Sequence, residues 1–118
     1  MSSKLSESEY KELADAAEGQ TLDAVLCYSV PEPRPDNFSF DERREIFFWA
    51  LERLLSDGRI KLAKHGKFLE GTVEEQVELF RQAFPRTEAE IEDGIWFFDE
   101  VCPGGAVWVL NDGSLEWT

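Results

Sequence analysis

The sequence has one histidine and two cysteines among 118 residues, and that scarcity excludes most nucleophilic and metal chemistry. A catalytic cysteine or serine needs a base beside it, and Cys27 and Cys102 would have to share His65, which stands in the turn sequence KHGK between lysines. The two cysteines lie far apart without CxxC or Cys/His spacing, so two reduced, partly buried thiols are expected rather than a disulfide or a zinc site. Also missing are a Gly-rich phosphate loop, a P-loop, G-x-S-x-G, HExxH and DxDxDG. PGG at 103–105 reads as a turn into a strand. No apolar run approaches the roughly 18 residues that span a bilayer, and MSSKLSESEYKEL lacks the apolar stretch of a secretory signal. A cytoplasmic protein is expected. Positive charge is scarce as well: 12 Lys and Arg face 25 Asp and Glu, a net charge of −13 and a pI near 4.4. Affinity for nucleic acid comes from cations that displace counterions, so this balance argues against binding DNA, RNA or an anionic membrane.

What the chain does have is core material. Residues of hydrophobic type make up 42% of it, with nine Phe and four Trp, enough for one domain over residues 1–118. S-x-x-E at Ser6–Glu9 predicts a capping box, with Leu5 as a staple on Tyr10, and a helix that ends before Gly19. Thr21 is placed to cap a short helix through Leu22, Val25 and Leu26, which AVLCYSV also allows as a strand. PEPRPD at 31–36 is an extended connection inside the domain. Ser39–Glu42 opens a long central helix to about Ser56, apolar around most of its circumference. A short lysine-rich hairpin follows at 59–63 and 67–70, turning at His65-Gly66. Thr72–Glu75 starts a helix closed by Pro85, Thr87–Glu90 a brief acidic one, and AVWVL-NDGS-LEWT a terminal β-hairpin. The fold class is α+β, mostly helical, with a central and a C-terminal hairpin.

The charge is unevenly distributed. Residues 1–33 carry a net −5, residues 34–67 a net +2, and residues 68–118 a net −10, where Arg81 and Arg86 are the sole bases. Glu74, Glu75 and Glu78 form an acidic face on the helix after Thr72, partly explained by the favourable helix dipole in its first turn. Glu92, Asp93, Asp99 and Glu100 bracket the aromatic run that contains Trp96. Acids beside large rings suit a cationic protein partner, because rings give desolvated contact and carboxylates steer. These eight residues are the candidate partner-binding set. No catalytic residue, cofactor or metal is assigned: paired carboxylates can serve acid–base or cation chemistry, but their spacing here specifies neither. Arg59, Lys61, Lys64 and Lys67 make a basic hairpin, expected to meet the molecule's own acids or a second copy rather than DNA.

FFWALERLLSDGRIKLAKHGKFLEGTVEEQVELFRQAFP, WFFDEVCPGGAVWV and the closing DGSLEWT resemble a family of small bacterial proteins catalogued as domain of unknown function five-nine-six, from Phe47 to the end. Val101 between Glu100 and Cys102 makes the match at 99–108 approximate. The resemblance implies a small acidic immunity protein of a contact-dependent or polymorphic toxin system, and it implies no catalytic residues. The reading that follows is a non-enzymatic immunity protein that binds a basic toxin domain, of nuclease type, and blocks its active site. The alternative is an acidic interaction or structural protein, a homodimer in one form, whose basic hairpin meets the acidic half of a second copy. An enzyme using Asp99, Glu100 and His65 would need a pocket that gathers them.

Overall fold

The computed structural model describes residues 5–31 and 33–118. Glu32, in the proline-rich connection, lies outside them. Helix α1 spans Glu7–Ala17 and begins in the expected capping box: the Glu9 amide donates to Ser6 Oγ at 3.2 Å and the Ser6 amide to Glu9 Oε1 at 2.9 Å. Leu5 and Tyr10 are both buried, as a staple requires. The Tyr10 hydroxyl donates to Asp57 Oδ2 at 3.0 Å, and burial, then that acceptor, push its pKa well above the ordinary phenol value.

AVLCYSV resolves into helix α2, Leu22–Cys27. Thr21 does not cap it, because its hydroxyl donates to the Asp23 carboxylate instead. Helix α3, Phe40–Ser56, is capped by Ser39, whose Oγ accepts the Glu42 amide at 3.1 Å. Six of its side chains, Ile46, Phe47, Phe48, Ala50, Leu51 and Leu54, are buried, because α1, α2 and α4 pack around it. Strands β1, Ile60–Lys64, and β2, Lys67–Phe68, join through His65 and Gly66, both at positive φ (53° and 77°) as a two-residue I′ turn demands. Helix α4, Val73–Ala83, repeats the complete capping box at Thr72 and Glu75, and Phe84 leaves it in an extended conformation before Pro85. Helix α5 is a single turn, Glu88–Ile91, and Thr87 donates to the Glu90 carboxylate at 2.9 Å rather than capping the backbone.

The aromatic run lies in a 3-10 helix, Glu92–Phe98, which leads into β3, Gly105–Val109, and β4, Leu115–Trp117. The two hairpins expected from sequence are halves of one antiparallel sheet in the order β2-β1-β3-β4, joined by Ile60 opposite Trp108 and Leu62 opposite Ala106. That inner face closes the core against the helices. The buried Trp108 indole donates to the Gln20 carbonyl at 2.7 Å, pinning the α1–α2 connection to β3. Cys27 is exposed, Cys102 is buried, and both are free. No helix among the described residues is long and apolar enough to cross a membrane.

Candidate functional site

The arginines of the middle segment, and Arg81 on α4, meet acids or rings of their own molecule. Arg53 pairs with Glu7 (3.0 Å) and Asp57 (3.5 Å), Arg59 with Asp15 and Glu18, Arg81 with Glu45 (3.0 Å), and Arg43 with Glu88 (3.7 Å). Arg81 also lies over the Phe48 ring at 4.5 Å, and Arg44 over the same ring at 5.2 Å. Such pairs on a wet surface contribute little individually. Their consequence is electrostatic: they neutralise five acids of the first half of the chain and Glu88 of the second. Among the described residues, the acids after residue 67 that form ion pairs are Glu88 and Glu100, so the C-terminal negative field stays open.

The sequence-predicted acids fall into two groups. Glu74, Glu75 and Glu78 are exposed on α4, where Glu75 closes its own capping box and Glu78 accepts from Gln82 at 3.1 Å. The Thr72 amide and hydroxyl hold the Glu75 carboxyl below the ordinary glutamate range. Glu74 precedes Phe84 by ten residues, about 15 Å along the axis, and it is Phe84 that touches Trp96. The two groups therefore lie toward opposite ends of α4.

The structure corrects one candidate. Trp96 is 8% exposed, edge-on to Phe84 at 5.0 Å and to Phe97 at 5.2 Å, so its ring belongs to the core rather than to a contact surface. The exposed apolar side chains of this region are Ile95, Phe98 and Val101, at 61%, 67% and 60%. A 3-10 helix has three residues per turn, so Ile95 and Phe98 eclipse on one side while Trp96 and Phe97 anchor the other side inward, and Val101 is exposed in the turn that follows. The spacing of three was present in the sequence, but it carries meaning only once the helix is known to be 3-10. Glu92 and Asp99 are exposed beside this ridge without an ion pair among the described residues, and Asp99 accepts the Val101 amide at 3.3 Å. The side chain of Asp93 lies outside what the structure describes.

Glu100 is engaged by the basic hairpin. Its Oε1 is 2.8 Å from His65 Nε2 and 3.8 Å from Lys64 Nζ, while Lys64 also donates to the carbonyls of Glu100 and Cys102. The His65 hydrogen bond, then the charges of His65 and Lys64, hold the Glu100 carboxyl below the ordinary range. A depressed carboxylate favours the folded state above the ordinary carboxylate pKa and loses that contribution as pH falls through its own lowered midpoint. Substituting His65→Ala should raise the Glu100 midpoint toward that of a free glutamate in a carboxyl-carbon NMR titration; an unmoved midpoint would show that the hydrogen bond is not made in solution. His65 and Glu100 are both largely exposed, an open pair on the surface rather than part of an enclosing pocket.

Glu92 itself is backbone-strained, with φ of 52° at the junction of α5 and the 3-10 helix. A non-glycine residue there costs about 1–2 kcal/mol. Two residues on, Gly94 at φ 95° approaches α2 so closely that a Cβ would stand 3.1 Å from Asp23 Cβ. Replacing Glu92→Gly should release part of the strain and stabilise the fold by about 0.5–1 kcal/mol, read as a raised thermal midpoint. A lower midpoint than the parent would mean that the Glu92 side chain supports this junction in a way its geometry does not show.

Among the described residues no group of three His, Cys, Asp or Glu is placed to hold a metal ion. A cleft of about 220 Å³ lies between α2, α3 and α5, lined by Asp23, Cys27, Phe40, Arg43, Glu88 and Ile91. Its cation and one of its acids already face each other as the Arg43–Glu88 pair.

Residues 55–118, from the end of α3 through β4, match the model of a family described as protein of unknown function, DUF596. The chain belongs to this family. The matched span holds the whole sheet, α4, the 3-10 ridge and the Lys64–His65–Glu100 contact. A solved structure of an uncharacterized protein conserved in bacteria, from Neisseria meningitidis, is similar at 28% identity, covering 93% of this chain and 87% of that one with a TM-score of 0.75. No curated protein matches. The sequence resemblance to this family thus holds over residues 55–118 rather than from Phe47, and the DUF596 domain here is an α+β domain of a conserved bacterial type.

Proposed function

We propose that this DUF596 protein is a non-enzymatic binding module that neutralises a basic protein, a toxin domain of nuclease type, by covering its active-site region. The observation that supports this reading is the open acidic half. Five acids of the first half, Glu7, Asp15, Glu18, Glu45 and Asp57, are met by arginines and that half carries a net −3 against −10 for the second, where Glu74, Glu90, Glu92 and Asp99 face solvent without an ion pair among the described residues. A nuclease must attract phosphate, so its cleft is positive, and an acidic inhibitor gains association rate and selectivity from complementary charge. The apolar ridge between Glu92 and Asp99 supplies the desolvated contact that charge alone does not.

The test looks immediately upstream of this chain's gene for a secreted effector and, where one is encoded there, uses its C-terminal domain. Co-expression should restore growth, and the purified chain should bind that domain and block its activity in vitro. Continued toxicity with both proteins present, together with no heat of binding in calorimetry, would remove the immunity reading.

A further inference from the structure

The outer face of the sheet carries a second exposed apolar surface, opposite in charge to the first. Phe68 on β2 and Trp117 on β4 occupy the two edge strands, which in a flat sheet stand about 14 Å apart, yet their rings stack at 5.3 Å. The register explains the contact. Phe68 lies opposite Ala63, which lies opposite Gly105, and Trp117 lies opposite Val107, so the centre of this face is small and the edge rings lean together over a curled sheet. Val107, 1% exposed, and Ala63 are buried apart from the main core, under this lid.

The lid itself remains open, with Phe68 at 43% and Trp117 at 50% exposure. Lys61 stands over the Phe68 ring at 5.3 Å, and neither Lys61 nor Lys67 has an ion-pair partner among the described residues. Beside it, where β1 runs past the end of the short β2, a cleft of about 360 Å³ is lined by Leu55, Leu62, Leu69 and Val73, with Phe68 and Lys61 at its rim. Lys64 and His65 are held in the same molecule by Glu100, which leaves Lys61 and Lys67 as the hairpin's unpaired cations.

One chain therefore displays a protruding apolar row flanked by unpaired acids and a recessed apolar surface rimmed by unpaired lysines. We propose that these are two halves of a self-contact: the ridge Ile95–Phe98–Val101 of one copy docks on the Phe68–Trp117 face of a second, with Glu92 and Asp99 against Lys61 and Lys67. Made reciprocally, the contact closes a two-fold dimer; made once per pair, it adds copies head-to-tail or closes a ring. Net repulsion between copies at −13 is screened within about 8 Å at physiological ionic strength, which leaves the touching pairs to decide. The same ridge serves the foreign partner under the proposed function, so partner and second copy compete for it. The self-contact does not depend on the partner's identity.

Sedimentation velocity at about 0.15 M salt tests it. The parent chain should gain mass with concentration, and Phe98→Ala, at a ring two-thirds exposed, should raise the dissociation constant at least tenfold. Lys61→Glu with Lys67→Glu removes one half of the contact, and Glu92→Lys with Asp99→Lys removes the other. Each double variant should be monomeric alone, and far-UV circular dichroism should match the parent. Mixed, they bring opposite charges together at both junctions, the native pairing at one and the reversed pairing at the other, so they should associate with each other, and a chain carrying all four substitutions likewise restores opposite charges and should associate again. A parent chain that stays monomeric to millimolar concentration overturns the self-contact and leaves the toxin reading standing. Association of the parent without recovery in the fourfold variant also overturns it, by placing the contact elsewhere.

Discussion

Phe84→Ala is expected to destabilise the protein by about 3–5 kcal/mol, lowering the thermal midpoint by roughly 15 °C, because this ring is where three elements meet. It is buried at the end of α4, within 5.2 Å of both Phe47 and Phe48 on α3 and 5.0 Å of Trp96 in the 3-10 helix, with Phe97 at 6.0 Å. Alanine would leave a cavity among rings that cannot collapse together, because each is held by its own backbone, and would remove edge and stacked contacts worth about 0.5–1.5 kcal/mol apiece. Pro85 fixes the extended conformation of residue 84, so the chain cannot swing another side chain into the gap. Phe98→Ala is the control: its ring is two-thirds exposed, and its loss should change stability by no more than about 0.5 kcal/mol. Equal destabilisation by the two variants, measured by chemical denaturation, would contradict the division of this run into an anchoring side and an exposed side. A secondary consequence is functional, since the ridge hangs on Trp96 and Phe97, and loosening Phe84 loosens their support.

The parts of this fold that were legible in the sequence are those fixed over three or four residues. Ser6 with Glu9 and Thr72 with Glu75 form the reciprocal caps their spacing predicts, and Ser39 caps α3. The cap signal misleads at Thr21, whose hydroxyl goes to the Asp23 carboxylate, and at Thr87, where the Glu90 side chain three residues on takes the hydroxyl and leaves the backbone uncapped. The β1–β3 pairing was not legible: Ile60 and Trp108 are joined only because both close the same helical core, and nothing in either hairpin names the other. Trp96 and Phe98 likewise read alike in a run of apolar residues, and the period that separates them, three rather than two or 3.6, is imposed by packing against Phe84. The acidity of the C-terminal half was plain from composition. That Glu100 is occupied by Lys64 and His65 while Asp99 is free of ion pairs required the fold, because the hairpin reaches it across some 35 positions of sequence.

That difference between neighbours decides which charges to reverse. In the double variant Glu92→Lys with Asp99→Lys, affinity for the cognate basic domain should fall at least a hundredfold while the melting temperature stays within a few degrees of the parent. Neither carboxylate has an ion pair to lose among the described residues, so the fold is not expected to suffer, and two charges change sign at the rim of the ridge, a net shift of four units. Rim charges act chiefly on encounter, so most of the loss should lie in the association rate and shrink as salt is raised; Phe98→Ala should instead speed dissociation, because an apolar anchor acts after docking. Glu74→Lys with Glu78→Lys is the comparison, with the same change of net charge placed on the far part of α4. If both double variants weaken binding equally, only the molecule's overall field matters and the ridge has no privileged role. If the ridge pair alone collapses the association rate, the partner's cations sit against Glu92 and Asp99. Reversing Glu100 would answer a different question, since it also breaks the contacts with Lys64 and His65 that tie the hairpin turn to the ridge.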